Sequence, residues 1–308
     1  MPKRRMKRAA AIAVGALSIT FHGAGASASV SCASSIPTGR KVHAAAGPSA
    51  SAFAQALQGR DDVQREAAVR KALLEGDIPP FLMHLKPVSF HGRRVSGRAI
   101  EITICVMPDY LAVGTDRDFL RVPMAMPTAI DVARAYGFML PTRKMVDAIY
   151  QQADLRLAPQ PLPAGPAMRS ADYILRHEQI VRAQVGTAGP PDGLVAGHMK
   201  DVTFSKLLWS RPERVAIYGW HRMNGTPIQP LSTVHGAWYA DYSHGVRLVS
   251  ATAFVDAEPQ PLEEILQSSE LAPIVSDEGP IPDVDKLMLM LGGVSDPRLS
   301  AAAQTGGQ

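Results

Sequence analysis

The chain has 308 residues, enough for one large domain or two small ones, and its 46% hydrophobic and 19% charged residues are ordinary for a globular protein with a real core. Its 25 prolines and 25 glycines favour a loop-rich architecture over a helical bundle. The formal charge of +4 rests on 32 basic residues against 28 acidic ones, but five of the basic residues lie in an N-terminal segment that reads as an export signal; the 27 that remain give a charge near −1, which removes the support for nucleic-acid binding.

Residues 1–28 carry that signal. Lys3, Arg4, Arg5, Lys7 and Arg8 form a basic start, Ala9 to Phe21 an apolar stretch, and Ala26-Ser27-Ala28 the small residues that a signal peptidase reads. The apolar stretch is shorter than the roughly 20 residues of a spanning helix. The expectation is an exported protein, periplasmic or extracellular, with no transmembrane helix in the mature chain. Lipoprotein anchoring at Cys32 is the weaker alternative, because Ser29 stands where that signal wants leucine. In an oxidising compartment Cys32 and Cys105 can pair. The opposite reading, two unpaired cysteines, is equally open: Cys105 lies in an apolar strand pattern and Cys32 in a leader.

Residues 29–51 are rich in Ala, Ser and Gly and read as a disordered leader. Residues 52–157 form an N-terminal α+β region. Helices are predicted over Ala52–Leu57 and over Asp62–Leu74, the second capped by Asp61 or Asp62 and ended by Gly76. The alternation in Ala99–Val106 predicts a strand with one buried face. Tyr110–Val113 and Phe119–Met124 are expected to join it in a small antiparallel sheet. Helices follow at Thr128–Tyr136 and, capped by Thr142, at Arg143–Ala153.

Residues 158–166 hold four prolines and read as a linker or surface loop, so a domain boundary and a single domain are both open. Residues 167–291 form a β-rich region. Ser170 opens a helix to about Gln184, and strands are predicted at Leu194–Ala196, Val202–Phe204, Val215–Tyr218 and Val246–Phe254. Residues 292–308 read as a flexible tail. The fold class is α+β, with antiparallel sheets, several helices and a β-rich C-terminal half.

The polar residues able to do chemistry concentrate in Thr233–Val249, which reads T-V-H-G-A-W-Y-A-D-Y-S-H-G-V-R-L-V. His235, Asp241, Ser243 and His244 are the candidate catalytic residues. The glycines behind the two histidines would let backbone approach a ligand. His198 and Lys200 lie in a second cluster and Trp220 and His221 in a third, each beside a short apolar run. Four histidines at predicted strand ends within 47 residues suggest one shared site. His235, Asp241 and His244, with His198 or His221, are ligand types that suit zinc, although no strong zinc signature is present. Without a metal, His235 is the better base for Ser243, with Asp241 or Asp201 orienting it. Arg247 and Lys200 are candidate anchors for a substrate carboxylate, and Trp220 and Tyr242 candidate walls of a cleft.

Val234-His235-Gly236 followed by Ser243-His244-Gly245-Val246-Arg247-Leu248 resembles the active-site motif of the L,D-transpeptidases, exported cell-wall enzymes whose motif carries a His-Gly and then Ser-His-Gly-Cys-x-Arg. By that likeness His235 matches the upstream histidine, Ser243, His244 and Gly245 the triplet, and Arg247 the arginine. The nucleophilic cysteine is missing, with Val246 or a deletion in its place. The segments G-H-M-K-D-V, I-Y-G-W-H and D-Y-S-H-G-V-R-L-V also resemble a group of exported bacterial proteins of unassigned activity. The resemblance implies a peptide or cell-wall-like substrate and excludes the family's cysteine chemistry. The resulting expectation is an exported hydrolase of peptide-like or cell-envelope material with a His/Asp site and zinc as the candidate cofactor. The alternative is a non-catalytic exported protein that captures a carboxylate ligand.

Overall fold

The computed structural model describes residues 30–32, 42, 49–186 and 193–298, so the export signal and the end of the expected tail lie outside the described residues. Ser49 caps α1 (Ala50–Leu57), its hydroxyl accepting from the Ala52 amide. Asp61 and Gln64 form a reciprocal capping box on α2 (Asp62–Glu75), which Gly76 ends in the left-handed conformation. Next come β1 (Lys86–Arg93) and β2 (Ala99–Val106), paired antiparallel from Lys86↔Val106 to Arg93↔Ala99. In β2 the alternation holds only at its start, since every residue from Ile102 onward is buried. β3 (Ala112–Gly114) and β4 (Phe119–Arg121) pair with each other and not with β2, so the predicted three-stranded sheet is two separate units.

α3 (Met126–Tyr136), β5 (Phe138–Met139), α4 (Arg143–Gln152) and β6 (Leu155–Arg156) follow. The Thr142 side chain caps α4 by accepting from the Met145 amide at 3.2 Å. α5 (Ala171–Val185) is capped by Ser170 and closed by left-handed Gly186. The remaining strands are β7 (Val195–Ala196), β8 (Lys200–Val202), β9 (Ile217–His221), β10 (Pro227–Ser232), β11 (His244–Gly245), β12 (Val249–Val255) and β13 (Glu258–Pro261). Three short helices end the described chain: α6 (Leu262–Gln267), α7 (Ala272–Val275) and α8 (Val284–Gly292).

Two sheets organise these elements. The larger runs β1-β2-β12-β13, with β5 beside β12; the smaller runs β10-β9-β8-β11. All pairings are antiparallel except β8–β11 and β6–β7, and the fold is α+β. One hydrophobic core runs from Phe53 to Leu291 and draws on residues from both sides of the proline-rich stretch, whose Leu162 is itself buried in it. Burial of this apolar surface is the main stabilising term.

Both ends of the described chain are better packed than composition suggests. Cys32 and Cys105 form a disulfide, with 5.4 Å between their Cα atoms, that staples the segment before α1 to β2. Val30 and Val42, in the stretch read as a disordered leader, pack against the core. Val294, in the expected flexible tail, packs against the core and its carbonyl accepts from the Trp238 indole at 3.1 Å. Among the described residues no helix is long and apolar enough to cross a membrane.

Candidate functional site

The three histidine-bearing clusters meet on the smaller sheet. β8 lies in its middle, with His244↔Lys200 and Gly245↔Asp201 in register on the parallel β11 side and Lys200↔Gly219 and Asp201↔Tyr218 on the antiparallel β9 side. Only five residues of β8 and β11 make this junction, so ladder hydrogen bonds alone hold it weakly. Close packing supplies the rest. A Cβ on Gly245 would lie 2.6 Å from the Tyr110 ring and 2.9 Å from Cβ of Met199, so the second motif glycine is needed for packing against Tyr110. At Gly236 a Cβ would meet nothing closer than 3.9 Å. Gly245 is thus set by packing, while the space beside Gly236 is open.

Around β11 the candidate residues form one centre. The His235 ring stacks on Tyr239, with centroids 4.1 Å apart, and stands 6.3 Å from the His244 ring. Tyr239 packs edge-on against His244 and donates its hydroxyl to Oδ2 of Asp241 at 3.0 Å. The other carboxylate oxygen of Asp241 accepts from the amide and the hydroxyl of Ser243, at 2.9 and 2.6 Å. His244 Nε2 lies 3.9 Å from Oδ2 of Asp241, too far for a hydrogen bond. His244 is fully buried, and neither ring nitrogen has a hydrogen-bond partner among the described residues.

Burial sets the protonation states. It depresses the His244 pKa to about 4 against the opposing pull of Asp241, so His244 is neutral at pH 7. Burial also lowers His235, with Asp241 again opposing and Lys200 assisting. Burial pushes the Asp241 carboxyl up, but His244, the two Ser243 hydrogen bonds and Lys200 outweigh it, and the group stays ionised. Lys200 is lowered by burial. Its Nζ sits 5.1 Å from the centroid of the Trp220 ring and has no ion-pair partner among the described residues. Trp220 holds φ at +55°, a left-handed conformation that costs a bulky residue about 1–3 kcal/mol. Its indole Nε1 is buried and unpartnered.

Other predicted residues are placed differently. Ser243 is fully buried with its hydroxyl committed to Asp241, so His235 is not its base. Arg247, expected to hold a substrate carboxylate, has no exposed surface; it donates to the Met107 and Val195 carbonyls and lies over the Tyr110 ring at 4.5 Å. It locks the β2–β3 connection to β7. The Tyr242 hydroxyl accepts from the Leu162 amide at 2.7 Å, pinning the proline-rich loop to the core instead of lining a cleft. His198 and His221 are each tied to a different carboxylate: His198 to Asp109 at 3.2 Å, His221 to Asp147 at 2.9 Å. Among the described residues no three His, Cys, Asp or Glu side chains are gathered as a metal site.

Behind the centre lies a buried ionic network that no motif announced. Arg121 donates from Nε and Nη2 to Asp109, at 3.1 and 2.6 Å, and from Nη1 to Glu178 at 2.9 Å. Burial raises Asp109, but Arg121 and His198 outweigh it and hold the carboxyl well below its usual range. His177, on α5, is pushed down to about 3 by burial and packs edge-on against Tyr242. On the other side Tyr110 donates its hydroxyl to Asp201 at 2.9 Å. Burial raises Asp201 to about 6, moderated by Arg247 and that hydrogen bond. A signal for these residues was absent because the network joins three separate segments: Asp109 and Arg121 from the β3–β4 hairpin region, Glu178 from α5 and His198 from the turn before β8.

No family model, curated protein or solved structure matches this chain.

Proposed function

We propose that the chain is an exported hydrolase acting on peptide-like or cell-envelope material through His235, Asp241 and His244. The observation that carries this reading is His244: a fully buried imidazole with neither nitrogen bonded among the described residues, facing a second neutral histidine and an ionised carboxylate. Leaving such a group unsatisfied costs about 1–3 kcal/mol, so a partner supplied from outside the chain, water or ligand, is expected there.

His235 is the half-exposed member and the base. It takes a proton from an attacking water, and the Asp241 charge favours the imidazolium that forms. Lys200 supplies positive charge to the tetrahedral oxyanion. The C–N bond then breaks and the imidazolium returns its proton to the leaving amine. Ser243 and Tyr239 fix the Asp241 carboxylate, and the buried His244 ring, edge-on to Tyr239 and 3.9 Å from Asp241, is the positioning residue that holds this pair toward His235. The substrate class rests on the likeness of the two His-Gly segments to the L,D-transpeptidase motif. Export rests on the signal-like N-terminus, and the Cys32–Cys105 disulfide supports it, since such bonds persist in oxidising compartments.

Two neutral imidazoles and a carboxylate also suit zinc by type, and an ion held by His235, Asp241 and His244 would supply a water ionised near neutral pH. Their present placement does not gather them around one point, and the steps above use the protein's own groups. Non-catalytic capture of a carboxylate is the second reading, favoured by the unpaired ammonium of Lys200.

The test is release of new amino groups from isolated peptidoglycan by the purified chain. Wild type should release them and His235→Gln should be slower by about 100-fold or more, the usual contribution of a general base. Saturable peptidoglycan binding without release would select the capture reading. Metal analysis of the same preparation decides the role of zinc, since a stoichiometric ion lost in His244→Gln would place it at this centre.

A further inference from the structure

On the far side of β9 from Lys200, His221 belongs to different surroundings. It stacks on Tyr150, with ring centroids 4.5 Å apart and planes 16° apart, and forms the floor of a cavity of about 420 Å³ between α4 and the β9–β10 turn. Asp147 and Arg156 line the same cavity. Oδ1 of Asp147 takes two hydrogen bonds, from the Tyr218 hydroxyl at 2.8 Å and from His221 Nε2 at 2.9 Å. Oδ2 takes none among the described residues, and about a third of the side chain is exposed (35%). Arg156 is fixed by donating from Nε and Nη2 to the Tyr150 and Gln151 carbonyls and lies over the Tyr150 ring, which leaves Nη1 without a partner among the described residues. No ion pair joins Asp147 to Arg156, and the neighbouring Arg143 is taken up by Asp277.

The cavity therefore presents one held carboxylate and one held guanidinium, each with an unused polar atom among the described residues, beside the Tyr150–His221 stack. Opposite charges that share a cavity without neutralising each other are complementary to a ligand that carries both. The volume lies in the usual range for small-molecule sites. We propose that this cavity is a second ligand site, separate from the His235–His244 centre, that takes a small zwitterion of the amino-acid or dipeptide type. The ammonium of the ligand is held by Asp147 and its carboxylate by Arg156, with the Tyr150–His221 stack under its side chain. The inference does not depend on the proposed hydrolysis: it stands on this cavity alone.

Calorimetric titration of the purified full chain with L-alanyl-L-alanine tests it, with the N-acetylated dipeptide and the dipeptide amide as controls. One saturable site is expected for the dipeptide. Blocking either end should weaken binding by about 10-fold or more, the scale of one charge-assisted hydrogen bond. Asp147→Asn and Arg156→Gln should each weaken it similarly, and His244→Gln should leave it unchanged. The proposal is overturned by absence of saturable binding, by equal binding of the blocked dipeptides, or by a loss in His244→Gln that Asp147→Asn does not share. If Asp147→Asn does not fold, Arg156→Gln and the blocked ligands still decide, because neither touches the Tyr218–Asp147–His221 bonds.

Discussion

Replacing Arg121 by Met tests whether the buried ionic network holds the rear of the site. Arg121 is 3% exposed and is the shared partner of Asp109, which is fully buried, and of Glu178. Methionine fills similar space but leaves the Asp109 carboxylate with only His198 and the Tyr110 amide. Breaking a buried ion pair from one side costs about 3–5 kcal/mol. Arg182 still donates to Glu178 at 2.9 Å, so the lower end of that range applies, about 3 kcal/mol at pH 7. For a chain of this size that corresponds to a fall of about 6–12 °C in Tm. The pH dependence has a definite sign. The Asp109 pKa is depressed in the folded protein, so its contribution is full above its unfolded value near 3.8 and is lost as the pH falls below that. The gap between wild type and Arg121→Met should be widest at pH 5 and clearly narrower at pH 3, below that unfolded value. Urea unfolding followed by tryptophan fluorescence at both pH values measures it. A difference under about 1 kcal/mol at pH 7, or one that does not shrink in acid, would refute the reasoning.

Removing the disulfide by Cys32→Ser opens a loop of 73 residues and should lower unfolding free energy by about 2–4 kcal/mol in non-reducing buffer, read by urea unfolding. Gly245→Ala should push Tyr110 away from β11 and destabilise the chain by about 1–3 kcal/mol, whereas Gly236→Ala, with open space around it, should be near neutral; equal effects would contradict the packing role given to Gly245. Because burial lowers the His235 pKa, the acid limb of kcat/KM for peptidoglycan hydrolysis should fall below pH 6.5, the ordinary histidine value, and a limb above it would be inconsistent with His235 as the base.

Much of the helical framework was legible from the sequence because its signals are local. Asp61, Thr142 and Ser170 cap the helices they were expected to cap, and Gly76, Gly137 and Gly186 end helices in the left-handed conformation. Strand positions were legible and their partners were not. β2 pairs with β1 and β12, and β1 itself went unread because Pro87 and Gly92 interrupt the alternation that Val88 and Phe90 keep. At the site, the convergence of the three clusters on one sheet followed from their apolar flanks. Side-chain direction did not, since Arg247 turns inward to two carbonyls and Tyr242 toward Leu162. Trp220 at positive φ shows the same limit, because strain of that kind is imposed by the assembled fold.

The central claim is that His244 is kept for chemistry and not for the fold. It is tested most directly by comparing wild type and His244→Gln in parallel for peptidoglycan hydrolysis and for urea unfolding. Since neither ring nitrogen is bonded among the described residues, the account predicts loss of hydrolysis by about 100-fold or more in a chain that stays folded, with unfolding free energy lowered by no more than about 3 kcal/mol. Full activity together with a large loss of stability would show that His244 is a packing residue and would contradict the account.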